Sequence, residues 1–191
     1  MCKFVLASKS PRRKEILKGI GADFKVSASD ADENIDKNLE PFMYVQELAM
    51  IKAAAAKNES AEYIIAADTV VYFKGKIMGK PHTKEEAFEM LEALSGNTHS
   101  VYTGICVCNP KSGVSVTDYE KTDVTFNKLT HDEIRRYIES GEPFDKAGGY
   151  GIQGKGALLV GKISGDYFNV VGLPASKLNK LLKKEFNTEL I

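Results

Sequence analysis

Short apolar runs alternate with amphipathic stretches along the whole chain, and that alternation predicts an α/β fold. Phe4 to Ala7 reads as a buried strand, and Ile16, Leu17 and Ile20 follow at helical spacing. Ser10 is a favoured N-cap residue and Pro11 suits the first helical position, so the helix begins there. A second short strand is predicted near Phe24 to Val26. A polar, acidic loop from Ser29 to Asn38 comes next, carrying Asp30, Asp32, Glu33 and Asp36. Pro41 opens a helix that reaches about Lys57. The apolar run Tyr63 to Val71 predicts a buried strand with Asp68 set into it, then a hairpin turning at Lys74 and Gly75 and returning to Gly79, Lys80 and Pro81. A third helix is predicted over Lys84 to Leu94, and β-rich sequence from His99 to Phe126 turns near Asn109 to Gly113. Helices over about Asp132 to Ser140 and Ala175 to Phe186 complete the plan. Between those two lie the glycine-rich segment Gly148 to Gly156 and a further strand pair. Long crossovers together with hairpins predict a mixed sheet.

Composition narrows the class. With 191 residues and 43% hydrophobic content, the chain is expected to form a single domain over residues 1–191. Its 26 basic and 26 acidic residues balance, which argues against a protein that coats a nucleic-acid polymer or a membrane surface. Cys2, Cys106 and Cys108 are odd in number, and the last two are too close in sequence for a disulfide framework, so a reducing compartment fits. Only four apolar residues precede Ser8, too few for a signal peptide, and no later run reaches membrane-spanning length. The expectation is a cytoplasmic protein.

Against this neutral background the first helix stands out. Arg12, Arg13 and Lys14 crowd cations into its first turn, where exposed N–H groups and the macrodipole favour acidic residues by about 0.3 to 1 kcal/mol each. A strand, a tight turn and a helix N-terminus make a ready anion site, to which Ser8 and Ser10 add hydroxyls. The turn is either such a site or a solvated basic surface.

Four further groups bear on chemistry. Asp68 ends an apolar run, at or near the end of a strand. An unpartnered carboxylate there costs several kcal/mol, so it caps the following turn, pairs, binds metal or reacts. Ligands in open α/β sheets lie beyond the carboxyl ends of strands, so Asp68 and the Ser8 to Arg13 turn fit one crevice. Lys52 falls on the apolar stripe of Val45, Leu48, Ala49 and Ala56 and needs either an anion or a route to solvent. Lys80, between Gly79 and Pro81, is either an exposed hairpin-end lysine or an ammonium presented near the strand of Asp68. Glu33, from the acidic loop, is solvated or joins Asp68 around Mg²⁺ or Mn²⁺ shared with substrate phosphates. No zinc spacing exists among the histidines and cysteines. Gly149, Gly151 and Gly154 match G-x-G-x-x-G, but without the preceding strand and following helix of a dinucleotide fold, and Gln153 is the amide of that loop. No P-loop pattern is present.

Taken in order, Ser8-Lys9-Ser10-Pro11-Arg12-Arg13, Asp32-Glu33, Lys52-Ala53, Ala67-Asp68-Thr69-Val70, Gly79-Lys80-Pro81, Gly151-Ile152-Gln153-Gly154 and Asn169-Val170-Val171-Gly172-Leu173-Pro174 resemble the Maf family of nucleoside triphosphate pyrophosphatases. The resemblance spans nearly the whole chain. It implies an elongated mixed sheet flanked by helices, with a cleft between two lobes as in the inosine triphosphate pyrophosphatases. It also implies hydrolysis of a nucleotide to its monophosphate and pyrophosphate with a divalent cation, a homodimer, and a link to arrest of cell division. Arg12, Thr69 and Gln153 resemble the branch acting on dTTP and UTP. The sister branch, acting on 7-methyl-GTP, tends to carry an aromatic residue, Asp-Gln and Glu at the three corresponding places. An amide at Gln153 can both donate to and accept from the edge of uracil or thymine, whereas Glu would suit guanine.

On this resemblance Asp68 is expected to act as general base and metal ligand, with Glu33 the second metal carboxylate. Ser8, Arg12 and Arg13 would hold the phosphates, while Lys52 and Lys80 offset charge on the triphosphate and the leaving pyrophosphate. The alternatives are a pyrophosphatase for 7-methyl-GTP or other modified nucleotides, and a non-catalytic nucleotide-binding regulator of septation. Binding alone gives no reason to place Asp68 and Glu33 beside a triphosphate.

Overall fold

The structure is a computed structural model that describes residues 3–27, 31–36, 38–56 and 61–191. Its strands are β1 (Phe4–Leu6), β2 (Phe24–Val26), β3 (Tyr63–Phe73), β4 (Lys76–Met78), β5 (Thr98–Cys108), β6 (Ser115–Phe126) and β7 (Val160–Ser164). Its helices are α1 (Pro11–Gly19), α2 (Pro41–Ala55), α3 (Lys84–Leu94), α4 (His131–Glu139), α5 (Tyr167–Val171) and α6 (Ala175–Phe186). The strands form one sheet in the order β2-β1-β3-β5-β6-β7, with β4 paired to β3. β1 runs parallel to both β2 and β3, whereas β4 on β3 and β7 on β6 are antiparallel, so the sheet is mixed as its connections predict.

The chain divides into two compact units. The first comprises Met1–Asp68, Thr103–Glu120 and Gly172–Ile191, and the second Thr69–Tyr102 and Lys121–Val171. In the first, Phe4, Val5 and Leu6 are almost completely buried, as expected for a strand with parallel neighbours on both sides. Val5, Ala7, Ile64, Ala66 and Cys106 pack against Ala49 and Ala53 of α2. Small residues allow a close approach, and Gly104 makes the closest contact. A Cβ built there would stand 2.3 Å from the carbonyl oxygen of Val45, so only glycine lets the α2 backbone rest on β5. The stripe of Val45, Leu48 and Ala49 is buried as the spacing predicts. α2 ends at Ala55, and Lys57, where the pattern carries it, lies outside the described residues. Ser29, Asp30 and Lys37 of the acidic loop also lie outside them.

Asp68 is not at a strand end. β3 continues through it to Phe73, because Val71, Tyr72 and Phe73 pair with the returning β4. Its parallel neighbour stops earlier: β1 pairs only as far as Leu6 with Ile65, and Ala7 N–H then donates to the Ile65 carbonyl. Asp68 therefore stands in mid-strand, but past the carboxyl end of β1.

The second unit is built around Ala87, Leu91 and Leu94 of α3, Ile134, Tyr137 and Ile138 of α4, and Val101, Val124, Phe126 and Tyr150. Local chemistry sets its helix starts. The Thr83 hydroxyl accepts from Glu86 N–H, and Thr130 with Glu133 forms a reciprocal capping box. The strand pair predicted after the glycine-rich segment is instead one strand, β7, followed by the short helix α5. Asp166 decides the difference, because its carboxylate accepts from Phe168 and Asn169 N–H and so starts a helical turn.

Candidate active site

The first unit carries Ser8, Arg12, Arg13, Glu33, Lys52 and Asp68 of the residues singled out in the sequence. α1 begins at Pro11 after Ser10, with no acidic residue in its first turn. Ser10 holds the N-cap position, but its hydroxyl caps nothing. The Ser8 hydroxyl accepts from Ser10 N–H at 3.2 Å and from the Arg13 guanidinium at 3.3 Å. Arg13 also donates through Nε to the Gly172 carbonyl at 2.7 Å, which ties the start of α1 to the chain leading into α6. Burial lowers the Arg13 pKa, Arg12 adds to the effect, and the charges of Asp68 and Glu33 oppose it. A guanidinium remains protonated through such a shift, so Arg13 is a fixed cation facing two carboxylates.

Lys52 joins those carboxylates. From the inward stripe of α2 its ammonium donates to Asp68 Oδ1 at 2.6 Å and stands 3.1 Å from Glu33 Oε2. The Asp68 side chain is 12% exposed and that of Lys52 19%, against 53% for Glu33, so the first pair is held inside and the third member reaches in from the loop. Neighbouring loop carboxylates are occupied locally: Asp32 accepts from Asn34 N–H, and Asp36 from Asn38 N–H. Glu33 alone of these three turns to Lys52.

Two carboxylate oxygens converging on one cation form a hard oxygen set. That set fits Mg²⁺ or Mn²⁺, which take most remaining ligands from water and phosphate rather than from protein. Among the described residues no group of three or more His, Cys, Asp or Glu side chains is placed to hold a metal ion.

The second unit carries Thr69, Lys80 and Gln153. Thr69 is half-buried directly after Asp68, Lys80 is exposed after β4, and Gln153 is exposed at the N-cap of a 3₁₀ turn over Gly154–Leu158. The Gly148–Gly156 segment has neither the preceding strand nor the following α-helix of a dinucleotide fingerprint. A 3₁₀ turn over Glu142–Asp145 precedes it and a second, over Ala147–Gly149, begins it, as its sequence context implies.

The family of Maf-like proteins matches residues 3–185. The chain belongs to the Maf-like family. Among the relatives of this Maf-like protein, the dTTP/UTP pyrophosphatase of Thermoanaerobacter pseudethanolicus is 49% identical over 191 residues, covering 99% of this chain and 100% of that protein. The dTTP/UTP pyrophosphatase of Bacillus anthracis is 49% identical over 100% of this chain and 98% of its own. That of Alkaliphilus oremlandii is 48% identical over both full lengths. Among solved structures, a HAM1 protein from Coxiella burnetii aligns over 68% of this chain and 75% of its own, at 18% identity and a TM-score of 0.47.

Two features of this Maf-like site go beyond the sequence reading. Tyr44 stands near the carboxylates, and its phenol pKa is raised by burial and by Asp68 and Glu33, with Lys52 opposing. It thus stays an O–H donor beside them. Its spacing is a usable signal, because Tyr44, Leu48 and Lys52 recur every four residues along one face of α2. The Gly172 carbonyl gives no such signal, since its contact with Arg13 spans 159 residues.

The Asn169 segment also acquires a place. Asn169 Nδ2 donates to the Val101 carbonyl and to the Thr122 hydroxyl, which in turn donates to the Asp166 carbonyl. This buried knot joins β5, β6 and α5 within the second unit.

Proposed function

We propose that this protein hydrolyses pyrimidine nucleoside triphosphates, dTTP and UTP, to the monophosphate and pyrophosphate with a divalent cation. The observation that carries the reading is Lys52 held between Asp68 and Glu33, with Arg13 fixed at the start of α1. A site for a neutral ligand has no need of this density of opposed charge. A triphosphate with its cation does. The full-length relatives named dTTP/UTP pyrophosphatase support the choice of base.

In this mechanism water attacks the α-phosphorus, the bond to the β-phosphate oxygen breaks, and pyrophosphate leaves. Asp68 takes the proton from the attacking water. Ser8, Arg12 and Arg13 hold phosphate oxygens beside the exposed N–H groups of α1, where the macrodipole and the three cations act in one direction. Lys52 offsets charge on the phosphates, and we assign Lys80 the same task toward the leaving pyrophosphate. Glu33 and Asp68 would hold Mg²⁺ or Mn²⁺, which when bound neutralises phosphate charge and polarises the phosphoryl group. Thr69 and Gln153 are assigned to the nucleoside, with the Gln153 amide donating to and accepting from the pyrimidine edge. Fixed groups acting on developing charge supply most of the rate enhancement in such phosphoryl chemistry.

Pyrophosphate release measured across canonical and modified triphosphates with Mg²⁺ or Mn²⁺ tests the proposal. Preferential turnover of dTTP and UTP is the expected result. Preference for 7-methyl-GTP would overturn the base assignment, and no turnover of any triphosphate would overturn the enzyme.

A further inference from the structure

The second unit contains a buried polar pair to which the mechanism assigns nothing. His99 Nε2 and the Tyr150 hydroxyl share a hydrogen bond of 2.6 Å, and both residues are at most 5% exposed. With Phe126 they form a triad of edge-to-face rings, with centroids 4.6 to 5.3 Å apart. The other ring nitrogen of His99, Nδ1, is buried with no hydrogen-bond partner among the described residues. A phenylalanine would fill such a core at lower cost, so what the histidine adds here is the one bond it makes.

That bond fixes the loop bearing Gln153. Tyr150 sits within the glycine-rich segment, and three more contacts hold the same backbone. Gly151 N–H donates to the Tyr137 hydroxyl at 3.2 Å, Lys155 N–H to Glu142 Oε1 at 3.2 Å, and Gly148 N–H to the Gly79 carbonyl at 2.8 Å. Gly148 has φ +67°, and a Cβ there would stand 2.8 Å from the Val71 side chain, so this end of the loop has little room to shift. Gly79 immediately precedes Lys80. One run of backbone therefore carries the Gln153 amide and is bonded to the segment that carries the Lys80 ammonium.

We propose that His99 and Tyr150 are positioning residues that latch the glycine-rich loop, so that base selectivity through Gln153 depends on a hydrogen bond buried beneath it. The inference rests on the functional reading above. Burial keeps the latch neutral, lowering the His99 pKa to about 4 and raising that of the Tyr150 hydroxyl well above its ordinary value.

Tyr150→Phe removes one hydroxyl and keeps the ring triad. In this variant, amide hydrogen exchange across residues 148–155 is expected to accelerate about tenfold, the change that one buried neutral hydrogen bond supports. The ratio of kcat/KM for dTTP over dGTP is expected to fall by a similar factor of about ten, through KM, with kcat at saturating dTTP within about threefold of the parent. His99→Phe should behave alike, and His99→Gln, which restores a polar partner for Tyr150, should recover part of both effects. Parental exchange in Tyr150→Phe would overturn the latch. Faster exchange with parental selectivity would overturn its role in recognition. Exchange needs no substrate, so a parent protein inactive on every triphosphate would refute the functional reading while leaving the latch open to measurement.

Discussion

The two units solve opposite problems with polar residues. In the first, Arg13, Lys52, Asp68 and Glu33 are opposed charges, with the innermost pair, Lys52 and Asp68, held inside and Glu33 half-exposed. In the second, the Thr122, Asp166 and Asn169 knot and the His99 and Tyr150 pair are held by neutral hydrogen bonds, buried except at half-exposed Asp166. Charges act at a distance and can be exchanged between protein and substrate, which suits phosphate chemistry. Neutral hydrogen bonds act only in contact, but leaving one unmade is expensive, which suits discrimination between similar bases. On the proposed function, rate belongs to the first unit and base selectivity through Gln153 to the second.

The largest effect expected is on rate. Asp68→Asn removes the proposed base and the partner of Lys52, and kcat for dTTP with Mg²⁺ should fall by about a thousandfold or more. Near-parental pyrophosphate release by that variant would sink the assignment of the base.

Lys52→Met is expected to follow. It leaves Asp68 and Glu33 facing each other without their shared cation, and kcat should fall about a hundredfold while the preference for dTTP over dGTP is kept. If selectivity rather than rate collapses, the division between the units breaks.

The smallest effect separates the units by pH. His99 has its pKa lowered to about 4 by burial, with Asp123 opposing, while the unfolded chain protonates it near its ordinary value of 6.5. Between these values the unfolded state binds the extra proton, so this contribution to stability is complete above pH 6.5 and is lost as pH falls toward 4. The loss should be about 3 kcal/mol. Urea denaturation of the parent and of His99→Phe over pH 4 to 7 checks it. The variant should show the shallower slope, and equal slopes would remove His99 as the cause.

Much of this was legible in the sequence because it is local. The wrong-signed first turn of α1, the inward Lys52 and the carboxylate in an apolar strand each break a pattern that their neighbours establish. Other features were not. The extension of β3 past Asp68 depends on pairing with β4, and the helical turn of α5 depends on which amides Asp166 captures. His99 reads as one more residue in a β-rich stretch until Tyr150, 51 residues later, is placed against it.

The sequence by itself determined the alternation of strands and helices, the mixed sheet, and which residue types carry chemistry, since propensity, capping and periodicity act over a few residues. Tertiary structure alone decided which of those residues meet. Lys52 had two possible fates, solvent or an anion, and the approach of α2 to the sheet settled it on Asp68 and Glu33. That approach requires Gly104 to lie against the backbone at Val45, a contact between distant parts of the chain that no local pattern encodes. The energy of a buried charge depends on its partner's distance more than on its own identity, so identity was readable and partnership was not.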